Sequence, residues 1–151
     1  MEFAAPVWNL YLKGDIDALE KIQRRATKVP YELRRFDYPT RLKLVGLTRL
    51  DQRRERGDCI QAFKLAKNLE VVDWHAPLET RAPMWGYRER TRPERVKNCM
   101  QRLHFFSNRV ADKWNALPDS TVIVNTVNQF KSRYDSVARG CAQLIQSIDI
   151  E

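Results

Sequence analysis

The chain has 151 residues, of which 43% are hydrophobic and 30% charged, so it is long and apolar enough to fold around a core. These fractions exclude a solvated, disordered tail. The 27 lysines and arginines against 19 aspartates and glutamates give a net charge of +8. Three cysteines at intervals of about forty residues form neither a disulfide ladder nor a paired metal motif, and with the acidic start they predict an intracellular (nuclear or cytoplasmic) protein.

The first segment, residues 1–70, is predicted to be helical. Asp15 can cap a helix that runs to about Lys28 and ends before Pro30. One apolar stripe of this helix consists of Ile16, Leu19, Ile22, Ala26 and Val29.

Two more helices are predicted in this segment. Asp37 and Gly46 delimit a short one, with Pro39 in its first turn. Thr48 and Asp51 resemble a capping box for the next, which runs to about Leu69.

The middle segment, residues 71–101, breaks the helical pattern. Prolines and arginines crowd it, which predicts a long basic loop or a short hairpin around residues 84–87.

The last segment, residues 102–151, returns to helical spacing. A 3-4-4-3 pattern ended by Pro118 predicts a helix through Leu103, Phe106, Val110, Trp114 and Leu117. A final helix should start near Thr126, which can form a capping box with Gln129.

That final helix carries an apolar seam at heptad spacing, which is typical of a helix that packs against another helix. We expect its distal part to dock a protein partner or a second copy, through Val137, Cys141, Leu144 and Ile148. Gly140 interrupts the seam and is alternatively a C-terminal cap.

Together these elements predict a mainly α fold: a small helical bundle in one domain, with an irregular basic loop or short hairpin in its middle. No apolar run approaches the roughly eighteen residues needed to cross a membrane, so we expect no membrane association.

Several sequence blocks occur in the order found in one known family. These blocks are residues 1–9 (MEFAAPVWN), 19–28 (LEKIQRRATK), 53–58 (RRERGD), 105–110 (FFSNRV) with 114–118 (WNALP), and 127–131 (VNQFK). The chain resembles the C-terminal (thumb and post-thumb) region of a non-LTR (LINE, CR1/RTE-like) retrotransposon reverse transcriptase. It departs from the family at Ala5, where serine is usual, and at Leu10, where proline is usual.

The resemblance implies a thumb-like segment that lies along a primer–template duplex. Polymerases of this family hold two divalent metals with paired aspartates. The sequence contains no adjacent aspartate pair, so we expect neither enzyme activity nor a cofactor.

The charge surplus lies in the first 109 residues, since residues 110–151 are about neutral. Such an excess favours a polyanion, nucleic acid first and an anionic membrane second, with a merely basic protein as an equal alternative. The candidate phosphate-binding cations are Lys21, Arg24, Arg25 and Lys28 on the first helix, and Arg88, Arg90, Arg92, Arg95 and Lys97 in the middle segment. Trp85 and Tyr87 could stack on unpaired bases, although Trp85 could equally anchor a core.

Two possible metal sites have simpler explanations. Asp51, Glu55 and Asp58 share one helical face, but arginines between them favour salt bridges. Cys99 and His104 would be half of a metal site without a second pair.

We therefore expect a non-catalytic nucleic-acid-binding module, for RNA, DNA or a hybrid. The alternative is a repurposed adaptor that binds another protein through exposed apolar helix surfaces.

Overall fold

Helices dominate the computed structural model, which describes residues 6, 9–72, 80–81 and 90–148, apart from the side chains of 80, 81 and 141–148. This confirms the predicted mainly α fold. The helices are α1 (Lys13–Ala26), α2 (Tyr38–Val45), α3 (Leu50–Ala66), α4 (Met100–Leu103), α5 (Phe106–Ala116), α6 (Asp119–Val122) and α7 (Val127–Ile148), with a 3-10 helix at Tyr31–Leu33 and short strands β1 (Thr80–Arg81) and β2 (Arg90–Thr91).

The chain forms two compact units, Met1–Gly57 and Asp58–Glu151, and the division lies within α3. They are called the first and second unit below. The single domain expected from the sequence stays a prediction.

The first helix begins earlier than predicted. Leu12, not Asp15, is the N-cap residue, and its extended backbone lets its carbonyl accept the N–H groups of Asp15 and Ile16. Asp15 lies in the first turn, where a carboxylate favours a helix through its dipole without capping it. The helix ends at Ala26, before Pro30.

The apolar stripe of α1 is not its buried side. Glu20, Gln23 and Thr27 are buried, whereas Ile22 is 49% exposed and Val29 is 72% exposed. The inward side of α1 is therefore polar, and buried polar groups of this kind require hydrogen-bond partners.

Those partners come from α2 and the start of α3. The Glu20 carboxylate accepts a 2.5 Å hydrogen bond from the Tyr38 hydroxyl and a 3.0 Å bond from the Leu50 N–H. Gln23 donates to the Tyr38 hydroxyl and to the Thr48 carbonyl, at 3.1 and 3.0 Å. Burial raises the pKa of Tyr38, and the hydrogen bond to Glu20 raises it further. Polar contacts therefore join three helices.

Helix α2 follows its predicted signals. Asp37 is the N-cap residue, Pro39 lies in the first turn, and Gly46 ends the helix with a φ of 69°, a left-handed conformation that glycine adopts without strain. Asp37 also accepts hydrogen bonding from Thr40, which lowers the pKa of its carboxyl.

The core of the second unit combines the end of α3 with α5 and α7. Phe63, Phe106 and Phe130 are fully buried, and the rings of Phe63 and Phe130 stack with centroids 4.6 Å apart. The same cluster contains Cys59, Ala62, Val110, Trp114 and Val124.

The predicted helix through Leu103 and Leu117 is wrong at its start. Leu103 lies on the separate helix α4 and is 42% exposed. The Asn108 side chain donates to the Arg102 carbonyl at 3.0 Å, and Arg109 donates to the His104 carbonyl at 3.2 Å. In a continuous helix these two carbonyls would accept hydrogen bonds from backbone amides four residues later. Here they accept from side chains instead, and the helix is interrupted.

The last helix starts as predicted, since the Thr126 hydroxyl accepts the Gln129 N–H at 3.3 Å. It continues through Gly140 to Ile148, so the alternative of a C-terminal cap at Gly140 is wrong. Val127 and Tyr134 pack on the core and Val137 is half-buried. The side chains of Cys141, Leu144 and Ile148 lie outside the described residues, and docking through them stays a prediction.

Strands β1 and β2 form an antiparallel pair that matches Thr80 with Thr91 and Arg81 with Arg90. This pairing fits the hairpin expected around residues 84–87, although residues 82–89 lie outside the described part. No helix among the described residues is long and apolar enough to span a membrane.

Candidate nucleic-acid interface

The first basic surface is the outward side of α1. Burial of Glu20, Gln23 and Thr27 turns the opposite side of the helix to solvent. All the predicted cations of this helix are exposed: Lys21, Arg24, Arg25 and Lys28. Lys21, Arg24 and Arg25 lie on one side of α1, and Lys28 follows in the turn after the helix ends at Ala26. We call these four residues the α1 basic face.

Two residues outside α1, Tyr38 and Arg34, lie beside this face. The Arg24 guanidinium lies 4.8 Å from the centre of the Tyr38 ring, a cation–π contact that helps to fix its position. The Arg34 side chain donates a 3.1 Å hydrogen bond to the Lys28 carbonyl, so Arg34 lies beside the C-terminal end of α1. Sequence reasoning missed Arg34, and the adjacent arginines after Pro30 were the signal that could have found it.

The second basic surface is the extended stretch 90–97 in the second unit, called the basic arm below. Its predicted cations, Arg90, Arg92, Arg95 and Lys97, are all exposed. Between them Thr91 is only 6% exposed, because it packs against α5. The arm thus turns its cations outward while Thr91 holds it to the helix.

Two asparagines one heptad apart on α5 fix the arm. Asn115 accepts the Thr91 N–H at 3.1 Å and donates to the Thr91 carbonyl at 2.8 Å. Asn108 accepts the Glu94 N–H at 2.7 Å. The sequence predicted an irregular loop or a short hairpin here. Strand β2 pairs with β1, and the side-chain amides of Asn108 and Asn115 bond further backbone groups of the arm.

Replacing Asn115 by alanine should loosen the basic arm. The buried Thr91 N–H and carbonyl would each lose a partner, which costs about 1–3 kcal/mol. Hydrogen exchange measured by NMR should show faster exchange of the Thr91 amide. Asn128→Ala, on an exposed position of α7, is the control and should leave that rate unchanged. An equal rate in the parent and Asn115→Ala would contradict the role of Asn115.

The other predicted members of the second surface are not described. Arg88, Trp85 and Tyr87 fall within residues 82–89, so base stacking by the two aromatic side chains stays a prediction.

The acidic trio does not form a metal site. Asp51 pairs with Arg49 at 2.9 Å, and Asp58 pairs with Arg109 at 2.8 Å. No group of three potential metal ligands occurs among the residues that the structure describes. Cys99 is an exposed thiol near Gln101, and no described cluster joins it with His104.

The Asp58–Arg109 pair is buried and bidentate. The Arg109 Nε and Nη2 atoms donate to the two Asp58 oxygens at 2.8 and 3.0 Å, with Asp58 only 6% exposed. Arg109 also lies over the Phe106 ring, 5.5 Å from its centre. The pair joins the RRERGD block to the FFSNRV block and therefore holds α3 against α5.

Comparisons with protein-family models, with curated proteins and with solved structures gave no significant match to this chain. The resemblance to reverse transcriptases therefore rests on the sequence blocks and stays a prediction.

Proposed function

We propose that this chain is a non-catalytic nucleic-acid-binding module that corresponds to the thumb region of a retroelement reverse transcriptase and works inside the cell, in nucleus or cytoplasm. The observation that carries the proposal is the α1 basic face, where three cations of a helix and a fourth in the turn after it are all exposed. Cations at this spacing contact successive phosphates and release the counterions condensed on them.

The basic arm supports the same proposal. Its cations emerge from a backbone that Asn108 and Asn115 already hold, so less conformational entropy is lost on binding than with an unanchored loop. Because both surfaces present arginine and lysine, the expected contacts are to phosphates and carry little sequence preference.

The proposed module is non-catalytic because two-metal chemistry needs paired carboxylates. The candidate carboxylates Asp51 and Asp58 are engaged by Arg49 and Arg109. Template-dependent nucleotide incorporation by the purified chain with magnesium or manganese would contradict this part of the proposal.

Removing Arg24, Arg25 and Lys28 together should weaken binding to duplex, hybrid and single-stranded probes by similar factors. Each lost phosphate contact should also flatten the plot of log affinity against log salt by about one unit. Fluorescence anisotropy at several salt concentrations measures both quantities.

A matched control removes three exposed cations from other places, Lys43, Lys67 and Lys113. This variant has the same net charge as the first, but it should keep most of the affinity and slope. Equal losses in the two variants would show that net charge alone drives binding, and the α1 basic face would then not be the site.

A further inference from the structure

The first unit carries an open apolar cleft that nucleic-acid binding does not use. Its volume is about 490 Å³, and its apolar lining consists of Ile22, Ala26, Leu33, Val45, Leu47 and Leu50. Ile22 and Val45 are 49% and 45% exposed. The cleft exists because α1 turns polar residues inward, which leaves part of its apolar stripe without cover.

The only charged residue among the described ones that line this cleft is a cation, Arg53, whose Nη2 atom donates to the Gln23 side chain at 3.1 Å. Arg25 is exposed three residues after Ile22, so its side chain emerges beside the edge that Ile22 forms. The nearby carboxylate of Glu20 is held by Tyr38 and the Leu50 N–H, which reduces its effect on an incoming ligand.

We propose that the cleft docks an amphipathic helix of a partner protein, whose apolar stripe is flanked by aspartate and glutamate. The described part of the first unit consists of helices and turns, so a strand would find no sheet edge there. A helix instead places side chains at i, i+3 or i+4, and i+7 into an apolar groove, and its acidic flanks meet Arg25 and Arg53. This surface differs from the C-terminal seam of α7. It shares Arg25 with the α1 basic face, but its apolar lining has no part in the nucleic-acid function proposed above.

The test uses a labelled synthetic peptide of roughly 18 residues, or five helical turns, with leucines on one stripe and glutamates elsewhere. Titrated into the full ¹⁵N-labelled chain, it should shift the amide resonances of residues 22, 26, 45 and 47. It should bind at least about tenfold more tightly than a peptide with lysine in place of every glutamate.

Variants distinguish binding in the cleft from non-specific binding to exposed apolar side chains. Ile22→Ser with Val45→Ser should weaken peptide binding by about fivefold or more through lost apolar contact. Leu12→Ser with Leu44→Ser is the matched control, because those leucines are 54% and 58% exposed and do not line the cleft, and it should change affinity little. Resonance mapping on the parent chain decides the question if a variant fails to fold.

Three outcomes would overturn the proposal: no shifts with the acidic peptide at about 1 mM, equal binding of the lysine peptide, or shifts confined to residues outside the cleft. A peptide-free dimer that the Ile22/Val45 variant disrupts would assign the cleft to a second copy instead. Nucleic-acid probes should bind that variant as they bind the parent, so failure here leaves the α1 basic face untouched.

Discussion

Replacing Asp58 by alanine is expected to lower the free energy of unfolding by about 3–5 kcal/mol, because it leaves the Arg109 guanidinium buried without its carboxylate. Both side chains are largely inaccessible, at 15% for Arg109 and 6% for Asp58, so solvent compensates for the lost partner much less than at an exposed ion pair. Urea denaturation followed by circular dichroism measures the change.

The control is Asp51→Ala, which removes the same group from an exposed ion pair. Arg49 and Asp51 retain 50% and 40% of their side-chain exposure, so this loss should be about 1 kcal/mol or less. Similar losses for the two variants would mean that burial of the Asp58–Arg109 pair does not decide its contribution.

Phe130→Ala should be about as destabilising, by about 3–5 kcal/mol, because it leaves a cavity at the centre of the second unit. The Phe130 ring is fully buried, stacks on Phe63, and lies 6.0 and 6.1 Å from the rings of Trp114 and Tyr134. The same denaturation experiment measures the loss.

Phe130→Leu is the informative comparison, since leucine keeps most of the apolar volume and should cost about 1–2 kcal/mol. If leucine were as damaging as alanine, the ring stacking with Phe63 would matter more than the cavity. If alanine cost less than about 1 kcal/mol, the α7 contact would not hold the core together.

Asp58→Ala and Phe130→Ala should also affect the proposed nucleic-acid site, because both disturb the contacts of α5, the helix that holds the basic arm. Loss of the second unit's core should release Thr91 from Asn115 and weaken probe binding through the arm. The α1 basic face belongs to the first unit.

Local signals in the sequence were enough where a single residue type satisfies a single backbone need. Gly46 predicted the end of α2 because its left-handed conformation suits glycine, and Thr126 predicted the start of α7 because a hydroxyl can accept an orphan amide. The exposure of Lys21, Arg24, Arg25 and Lys28 was also predictable, since unpaired charges seldom enter a core.

Long-range partners decided the rest, and no local pattern shows them. An apolar stripe such as that of Ile22 and Val29 is typical of the inner side of a helix. In α1, however, Tyr38 and Thr48 supply hydrogen-bond partners that let Glu20 and Gln23 be buried instead. A stripe predicts burial only when polar residues beside it have no partners elsewhere in the chain.

Long-range hydrogen-bond partners also explain why the helix is interrupted before Phe106 and why the backbone of the basic arm is held in place. The side-chain amides of Asn108 and Asn115 hydrogen-bond to backbone groups 6 to 24 residues away along the chain. By itself the sequence determined a helical, basic chain with an outward cationic helix face. Only the tertiary structure decided which polar side chains are buried, since that depends on where their distant partners lie.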